Sequence, residues 1–381
     1  MARPVIGIDA RYAFRQERHG IGEYIYHLLE AYAEQAADLT FHLYLDSQAG
    51  PVPSWLATEQ FRVTRLPVAN PMLFEESAMP RAASRDRVAL LHLAANYGGS
   101  MAAVPTVHTI HDLIEFMRQE IAPWRQTWRH GAGRWMRKRI LPPTARRSRA
   151  IICPSESTKR DVERFLHPHP DRLTVIPYGV SGITPHPDPD RLRQKMRARG
   201  LLVPERYILV FAALDPRKNA EVVVRTFEHL SADFPGVELW LVGIEDPSRY
   251  PVGGGNAGVK VQPFLPRADA LDLLRAATAL IYPSLYEGFG LPVVEAMAAG
   301  VPVLASRSSS IPEVVGEAGI LFDPATGDGL DAGLRLVLDN SGVAESLRLR
   351  GLARVASFTW EKSAAAHLGV YRQVVAERSE H

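Results

Sequence analysis

Short apolar runs rich in valine, isoleucine and leucine recur at helix-length intervals along the chain, and this alternation constrains the fold more than any other feature. The runs fall at residues 5–8, 41–45, 90–93, 106–110 and 150–153, then at 207–212, 238–242, 259–261 and 279–282. Strands alternating with helical segments imply parallel sheets, because each parallel connection needs a crossover long enough to hold a helix. The pattern stops once, in the proline-rich stretch SGITPHPDPD at 181–190, and restarts near Tyr207 after a basic helix-like segment. At 381 residues the chain also exceeds what one hydrophobic core of roughly 250–300 residues encloses. The expectation is an α/β protein of two Rossmann-like domains, residues 1–184 and 185–360. Residues 361–381 form a closing helix, apolar at Ala364, Leu368, Tyr371 and Val375, which packs back toward the first domain.

Composition narrows the function classes. The formal net charge of +2 gives no overall attraction to nucleic acid. The first ten residues lack a long apolar core with a small-residue cleavage site, and no run of about 18 apolar residues occurs. A cytoplasmic protein, at most peripheral on the inner face of a membrane, is expected. The single cysteine, Cys153, forbids an intrachain disulfide and lies in the apolar run AIIC, where it reads as a small buried hydrophobe.

The most informative stretch is YPSLYEGFGLPVVEAMAAG at 282–300: a strand, a glycine-rich turn and a helix opened by proline. Pro292 suits a first helical turn. Glu287 is therefore expected in the loop before the helix and Glu295 in its first turn. The backbone N–H groups of Gly288, Phe289, Gly290 and Leu291, with the positive end of the helix dipole, suit a diphosphate. Glu295 can accept hydrogen bonds from the two vicinal hydroxyls of a ribose, leaving Glu287 to face a sugar.

In this context the sequence resembles the family 4 glycosyltransferases, a retaining group with the GT-B fold, whose E-x7-E signature matches Glu287 to Glu295. Its mannosyltransferase-like branch is similar at further motifs, in the same order: Gly7-Ile-Asp-Ala-Arg11 with Gly20-Ile-Gly22, His108-Thr-Ile-His-Asp112, Pro154-Ser-Glu-Ser-Thr158, Val175-Ile-Pro-Tyr-Gly179, Pro216-Arg-Lys-Asn219 and Ile311-Pro-Glu313. The resemblance implies parallel sheets facing each other across a cleft, a nucleotide-sugar donor and no cofactor or metal. It implies that Arg217 and Lys218 neutralise the leaving diphosphate, and that His111, with Asp112 beside it, contacts the donor sugar. Many relatives carry another arginine a few residues before the lysine, where this chain has Ala212 and Ala213.

The residues alone support parts of this. Arg217 and Lys218 follow the run at 207–212, and His111 and Asp112 end the run at 106–110, both at the C-terminal edge where open parallel sheets bind ligands. Gly20 and Gly22 precede a helical pattern at Ile25, Leu28, Leu29 and Tyr32, so their backbone could approach a phosphate or the transferred sugar. A metal site from His108, His111 and Asp112 is disfavoured, since residues i and i+3 of a strand point to opposite faces.

Between Trp124 and Arg149 stand nine basic residues and no acid, with Trp124, Trp128 and Trp135 at spacings of four and seven. Such a helix could lie on an anionic membrane, which would suit a lipid-linked saccharide acceptor. Alternatively, its indoles pack on the first domain beneath a solvated arginine face. The acceptor surface is expected in variable loops of the first domain, including 69–83 and 97–103. The reaction expected is hexosyl transfer with retained configuration, most simply mannose from GDP-mannose, to a saccharide in glycan or polysaccharide biosynthesis. A UDP-hexose donor, a sugar phosphorylase and a catalytically silent nucleotide-sugar binder remain the alternatives.

Overall fold

Apart from the run at 259–261, whose edge strand is only partly buried, the apolar runs become strands buried on both faces, as parallel sheets covered by helices require. The computed structural model describes residues 3–16, 18, 20–117, 128–213, 215–244, 246 and 258–379, with the side chains of 128–134, 378 and 379 left out. It divides into two compact units. The first holds the described residues up to 116, those from 128 to 179 and those from 359 onward; the second holds residue 117 and the described residues of 180–358.

In the first unit the strands are β1 (Val5–Asp9), β2 (Thr40–Leu45), β3 (Phe61–Arg65), β4 (Leu90–Leu93), β5 (Thr106–Thr109), β6 (Ala150–Cys153) and β7 (Leu173–Val175). They form one parallel sheet in the order β3-β2-β1-β4-β5-β6-β7. The second unit has β8 (Arg206–Phe211), β9 (Val237–Val242), β10 (Val259–Gln262), β11 (Ala279–Tyr282), β12 (Val303–Ser306) and β13 (Ile320–Phe322), parallel in the order β10-β9-β8-β11-β12-β13. The order reverses direction between β1 and β4 in one sheet and between β8 and β11 in the other. Such switch points leave a crevice outside the strands' C-terminal ends. Together the sheets give the α/β architecture of the GT-B fold.

The second core packs Ile208, Val210, Leu239, Leu241 and Ile281 against Val223, Phe227, Leu330 and Leu334 from flanking helices. In the first unit, helix Ile21–Gln35 buries Tyr24, Ile25, Leu28, Leu29 and Tyr32, a stripe of helical period. Helix Trp360–Ser379 packs against it, burying Ala364, His367, Leu368, Tyr371 and Val374.

A directed chain of hydrogen bonds joins these helices to the sheet. His367 Nδ1 lies 2.7 Å from the Ser363 carbonyl and must donate to it, so its Nε2 accepts from the Tyr24 hydroxyl at 2.7 Å. Tyr24 then accepts from Thr109 at 2.9 Å, and Thr109 from His92 Nε2 at 2.8 Å. His92 Nδ1 accepts from Tyr371 at 2.7 Å, and Tyr371 from Tyr32 at 3.0 Å. All of these side chains are buried, and each proton has one place to go.

The basic segment forms helix Trp128–Arg147, with Pro142 and Pro143 inside it. Trp124 and Arg125 lie outside the described residues, as do the side chains of Trp128, Arg129 and Arg134. Trp135 is 59% exposed, and the Arg139 guanidinium lies 4.4 Å from its ring centre. Lys138, Arg146, Arg147 and Arg149 are exposed as well. Among the described residues no helix is long and apolar enough to cross a membrane. Cys153 is buried, and burial pushes its thiol pKa up.

Candidate functional site

Outside the C-terminal ends of β8 and β11, two loops are laced together. After β8, Asp215 caps the short 3-10 turn Pro216–Lys218 by accepting from Arg217 N at 2.9 Å. Asn219, in the left-handed conformation at φ 50°, donates its amide to the carbonyls of Pro283 (3.2 Å) and Pro324 (2.7 Å). The Leu285 N–H donates to the Arg217 carbonyl at 2.8 Å. These bonds bring Arg217 and Lys218 to Glu287 although 69 residues separate Lys218 from Glu287 in the chain.

Lys218 Nζ lies 2.8 Å from Glu287 Oε1 and 3.3 Å from the Tyr282 hydroxyl, and Arg217 Nη1 lies 3.8 Å from Glu287 Oε2. Burial alone would raise the Glu287 pKa, but Lys218 and Arg217 outweigh it and hold the carboxyl below its ordinary value. Burial likewise opposes the charge on Lys218, and Tyr282 and Glu287 restore it, so its pKa stands above the usual lysine value. Burial beside Glu287 pushes the Tyr282 phenol up to about 12. At neutral pH Lys218 is therefore a cation beside the Glu287 carboxylate, and Arg217 stands between Glu287 and Asp215, whose Oδ2 lies 3.2 Å from its Nε.

The helix following this loop is Leu291–Ala298, capped by Gly290 at φ 100°. A side chain at Gly290 would be strained by that backbone, and its Cβ would fall 2.6 Å from Ile311 Cδ1. Because the helix starts at Leu291, Pro292 is its second residue and Glu295 its fifth. Glu295 thus opens the second turn, one residue further from the N-terminus than the proline alone suggested. Its side chain is nearly buried and paired with Arg267, whose own side chain is 47% exposed. Phe289 is buried edge-on to Phe358, at 5.6 Å between ring centres, so it can offer a ligand its backbone rather than its ring.

Serines that sequence reasoning passed over hold this loop. Glu287 N–H donates to Ser309 Oγ at 2.8 Å, while Ser310 Oγ lies 2.9 Å and 3.0 Å from the Glu287 and Phe289 carbonyls. The signal was the serine run at 308–310 directly before Ile311-Pro312, and it is visible only as a run of turn-forming residues. Arg267 had no local signal.

The other expected residues lie in the first unit. Gly20, at φ 46°, precedes helix Ile21–Gln35, and Gly22 sits in its first turn, where a Cβ would meet the Tyr12 carbonyl at 2.7 Å. His111 follows β5. Its Nε2 faces the Ala94 carbonyl at 3.0 Å and must donate to it, so its Nδ1 accepts from the Tyr178 hydroxyl. Burial pushes the ring's pKa down to about 4, against the Ala94 hydrogen bond, so the imidazole is neutral near pH 7. Asp112 accepts from Ile114 N at 3.0 Å at the start of a short 3-10 turn. His108 is fully buried inside β5, its Nε2 3.1 Å from the Asn96 carbonyl. Among the described residues no group of three or more His, Cys, Asp or Glu is gathered to hold a metal ion.

Lys218, Arg217 and Glu287 meet at the switch point of the second sheet, ahead of helix Leu291–Ala298, and cations so placed can hold an anionic ligand. Comparison with known proteins gives the family. Residues 18–181 match the profile of "Glycosyltransferase Family 4", and residues 193–352 that of "Glycosyl transferases group 1". The chain is 28% identical to O-antigen chain mannosyltransferase B of Escherichia coli, over 70% of each protein. It is 31% identical to the MMP alpha-(1->4)-mannosyltransferase of Mycolicibacterium hassiacum, over 71% of this chain and 66% of that one. Sucrose-phosphate synthase of Thermosynechococcus elongatus shares the fold with a TM-score of 0.75 at 21% identity, covering 98% of this chain and all of that one. The chain belongs to the family 4 glycosyltransferases, and is a nucleotide-sugar-dependent hexosyltransferase of glycan biosynthesis.

Proposed function

We propose that the protein transfers mannose from GDP-mannose, with retention and without a metal, to a saccharide acceptor. The observation that carries this is the Lys218–Glu287 pair, with Arg217 beside it, in front of helix Leu291–Ala298. Mannosyltransferases among the relatives support the choice of sugar. In this reading the diphosphate binds the backbone from Gly288 to Leu291 together with Lys218 and Arg217. Glu295 exchanges the partly exposed Arg267 for the ribose hydroxyls. The bond from the anomeric carbon to phosphate breaks with its electron pair passing to the phosphate oxygen, where the cations and helix dipole stabilise the charge. The acceptor oxygen bonds to the same face of that carbon, and its proton passes to the departing phosphate. Glu287 orients the sugar and stabilises its developing positive charge. Gly20 and Gly22 let backbone approach the transferred sugar or its phosphate. His111 and Asp112 complete the sugar contact, the imidazole held rigid by Tyr178 and Ala94.

Replacing Glu295 by alanine is expected to weaken nucleotide binding, whereas Glu287→Ala lowers turnover more than binding. Calorimetry with GDP and UDP, and donor turnover, measure the two effects. Wild-type transfer by both variants would refute the assignment, and preference for UDP would replace the donor.

The acceptor, in the same reading, is a lipid-linked saccharide met at an anionic membrane surface. Exposed Trp135 with Lys138, Arg139, Arg146, Arg147 and Arg149 supports this contact. Flotation with phosphatidylglycerol vesicles at low salt is expected to carry the protein upward, and no binding there would refute the contact.

A further inference from the structure

The switch point of the first sheet, between β1 and β4, has its own cavity. It measures about 240 Å³ and lies within the first unit, lined by Tyr12 beyond β1, by Asn96 and Tyr97 beyond β4, and by Glu75, Glu76 and Arg137. That volume is below the roughly 300–1,000 Å³ of sites for drug-sized ligands, and suits one sugar ring.

The wall is built rather than incidental. Glu75 and Glu76 sit on the five-residue π-helical turn Phe74–Ala78, a rare backbone form that recurs at functional sites. Gly99 N–H donates to the Glu75 carbonyl at 3.0 Å, and Ser100 N–H donates to Glu76 Oε2 at 3.0 Å, which aims the second carboxylate. Among the described residues, the cations in and behind the wall are Arg11 and Arg137, and both are matched. Fully buried Arg11 pairs with Asp9 at 3.2 Å and with Glu75. Arg137 pairs with Glu115 at 2.5 Å and lies 4.9 Å from the centre of the Tyr97 ring. Glu76 is the carboxylate that these cations leave over.

An anionic ligand would meet that carboxylate with no unmatched cation among the described residues to offset it, since Arg137 is held by Glu115, whereas sugar hydroxyls are donors that a carboxylate accepts. We propose that this cavity binds one uncharged pyranose of the acceptor, and that Glu76 selects it over anionic sugars. This rests on the reading of the chain as a transferase with a saccharide acceptor, and gives that acceptor a charge class and a place. The β1–β4 switch point, walled by carboxylates, then differs from β8–β11, where Arg217 and Lys218 stand beside Glu287.

The test uses the full chain and saturation-transfer NMR with the methyl glycosides of mannose, glucose and glucuronic acid, beside GDP and UDP calorimetry. Wild type is expected to bind the neutral glycosides at least about tenfold more tightly than the glucuronide. Glu76→Gln keeps an oxygen for Ser100 and should narrow that gap to below about threefold, with nucleotide affinity unchanged. Met72 lines the same cavity, and Met72→Trp, which fills it, should abolish binding of all the glycosides and spare the nucleotide. Equal binding of the glucuronide by wild type, an unchanged preference in Glu76→Gln, or no glycoside binding up to roughly 50 mM would overturn the proposal. Nucleotide binding retained in any of those cases leaves the donor site standing, and its loss would count against the donor reading instead.

Discussion

Glu287→Gln is expected to separate binding from catalysis at the proposed donor site. The carboxylate lies 2.8 Å from Lys218 Nζ and 3.8 Å from Arg217 Nη1, so in the ligand-free protein it neutralises charge that a diphosphate would otherwise meet. Two unit charges about 4 Å apart attract by about 4 kcal/mol at an effective dielectric of about 20. Water and desolvation offset most of that gross attraction. A net gain of about 1–2 kcal/mol for the nucleoside diphosphate follows, or roughly a 5- to 30-fold lower Kd. Glutamine keeps the shape and an oxygen toward Lys218 while losing the charge that steadies the sugar as its bond to phosphate breaks. Turnover at saturating donor should then fall by about 10²–10³. Calorimetry with GDP and UDP, alongside steady-state rates, reads both numbers on one preparation. A Kd for the preferred nucleotide that is unchanged or higher would show that Glu287 does not share its cations with the diphosphate, and would refute the reasoning even if turnover fell.

Two predictions concern the first unit. Tyr24→Phe removes the hydroxyl that accepts from Thr109 and donates to His367, leaving two buried groups unsatisfied. The cost should be about 2–4 kcal/mol in urea unfolding followed by tryptophan fluorescence, and a loss below about 1 kcal/mol would contradict the directed chain. His108, His111 and His367 have pKa values pushed down to about 4, mainly by burial. The unfolded chain therefore binds more protons between the ordinary histidine value and about 4. The stability these groups contribute is complete above about pH 6.5 and is lost as pH falls toward 4, with a slope of at most about 1.4 kcal/mol per pH unit for each ring. Denaturant midpoints measured across that window should fall with acid, and a flat profile would argue against neutral buried rings.

The strands that sequence made legible are those with long apolar runs, such as β9, where Leu239, Trp240, Leu241 and Val242 are all buried. Four were missed. β3 carries Arg62, Thr64 and Arg65 and is the outermost strand of its sheet, so its polar edge hides its period. β7 and β13 are three residues long, giving periodicity little to register, whereas β12 is as long and as buried as strands that were recognised, such as β6, and no property of its residues explains why it was passed over. At the candidate site, Lys218 and Glu287 were legible because each follows a recognisable strand into a turn. Arg267 beside Glu295 and Tyr178 against His111 were not, since those contacts join residues 28 and 67 positions apart through tertiary packing alone. The start of helix Leu291–Ala298 depended on the positive φ of Gly290, whereas the sequence offered Pro292 as the more conspicuous marker.

Helix Trp360–Ser379 belongs to the first unit although the whole second unit precedes it in the chain. On the ribosome, residues up to 179 emerge first, but Tyr24 and His92 wait for His367 and Tyr371, which are translated some 180 residues later. At about 5–20 residues per second that interval lasts roughly 10–40 seconds. During it the apolar face of helix Ile21–Gln35 is uncovered and open to chaperones or to a neighbouring nascent chain, while residues 180–358 can already close their own core. Synthesis therefore finishes the second unit before the first.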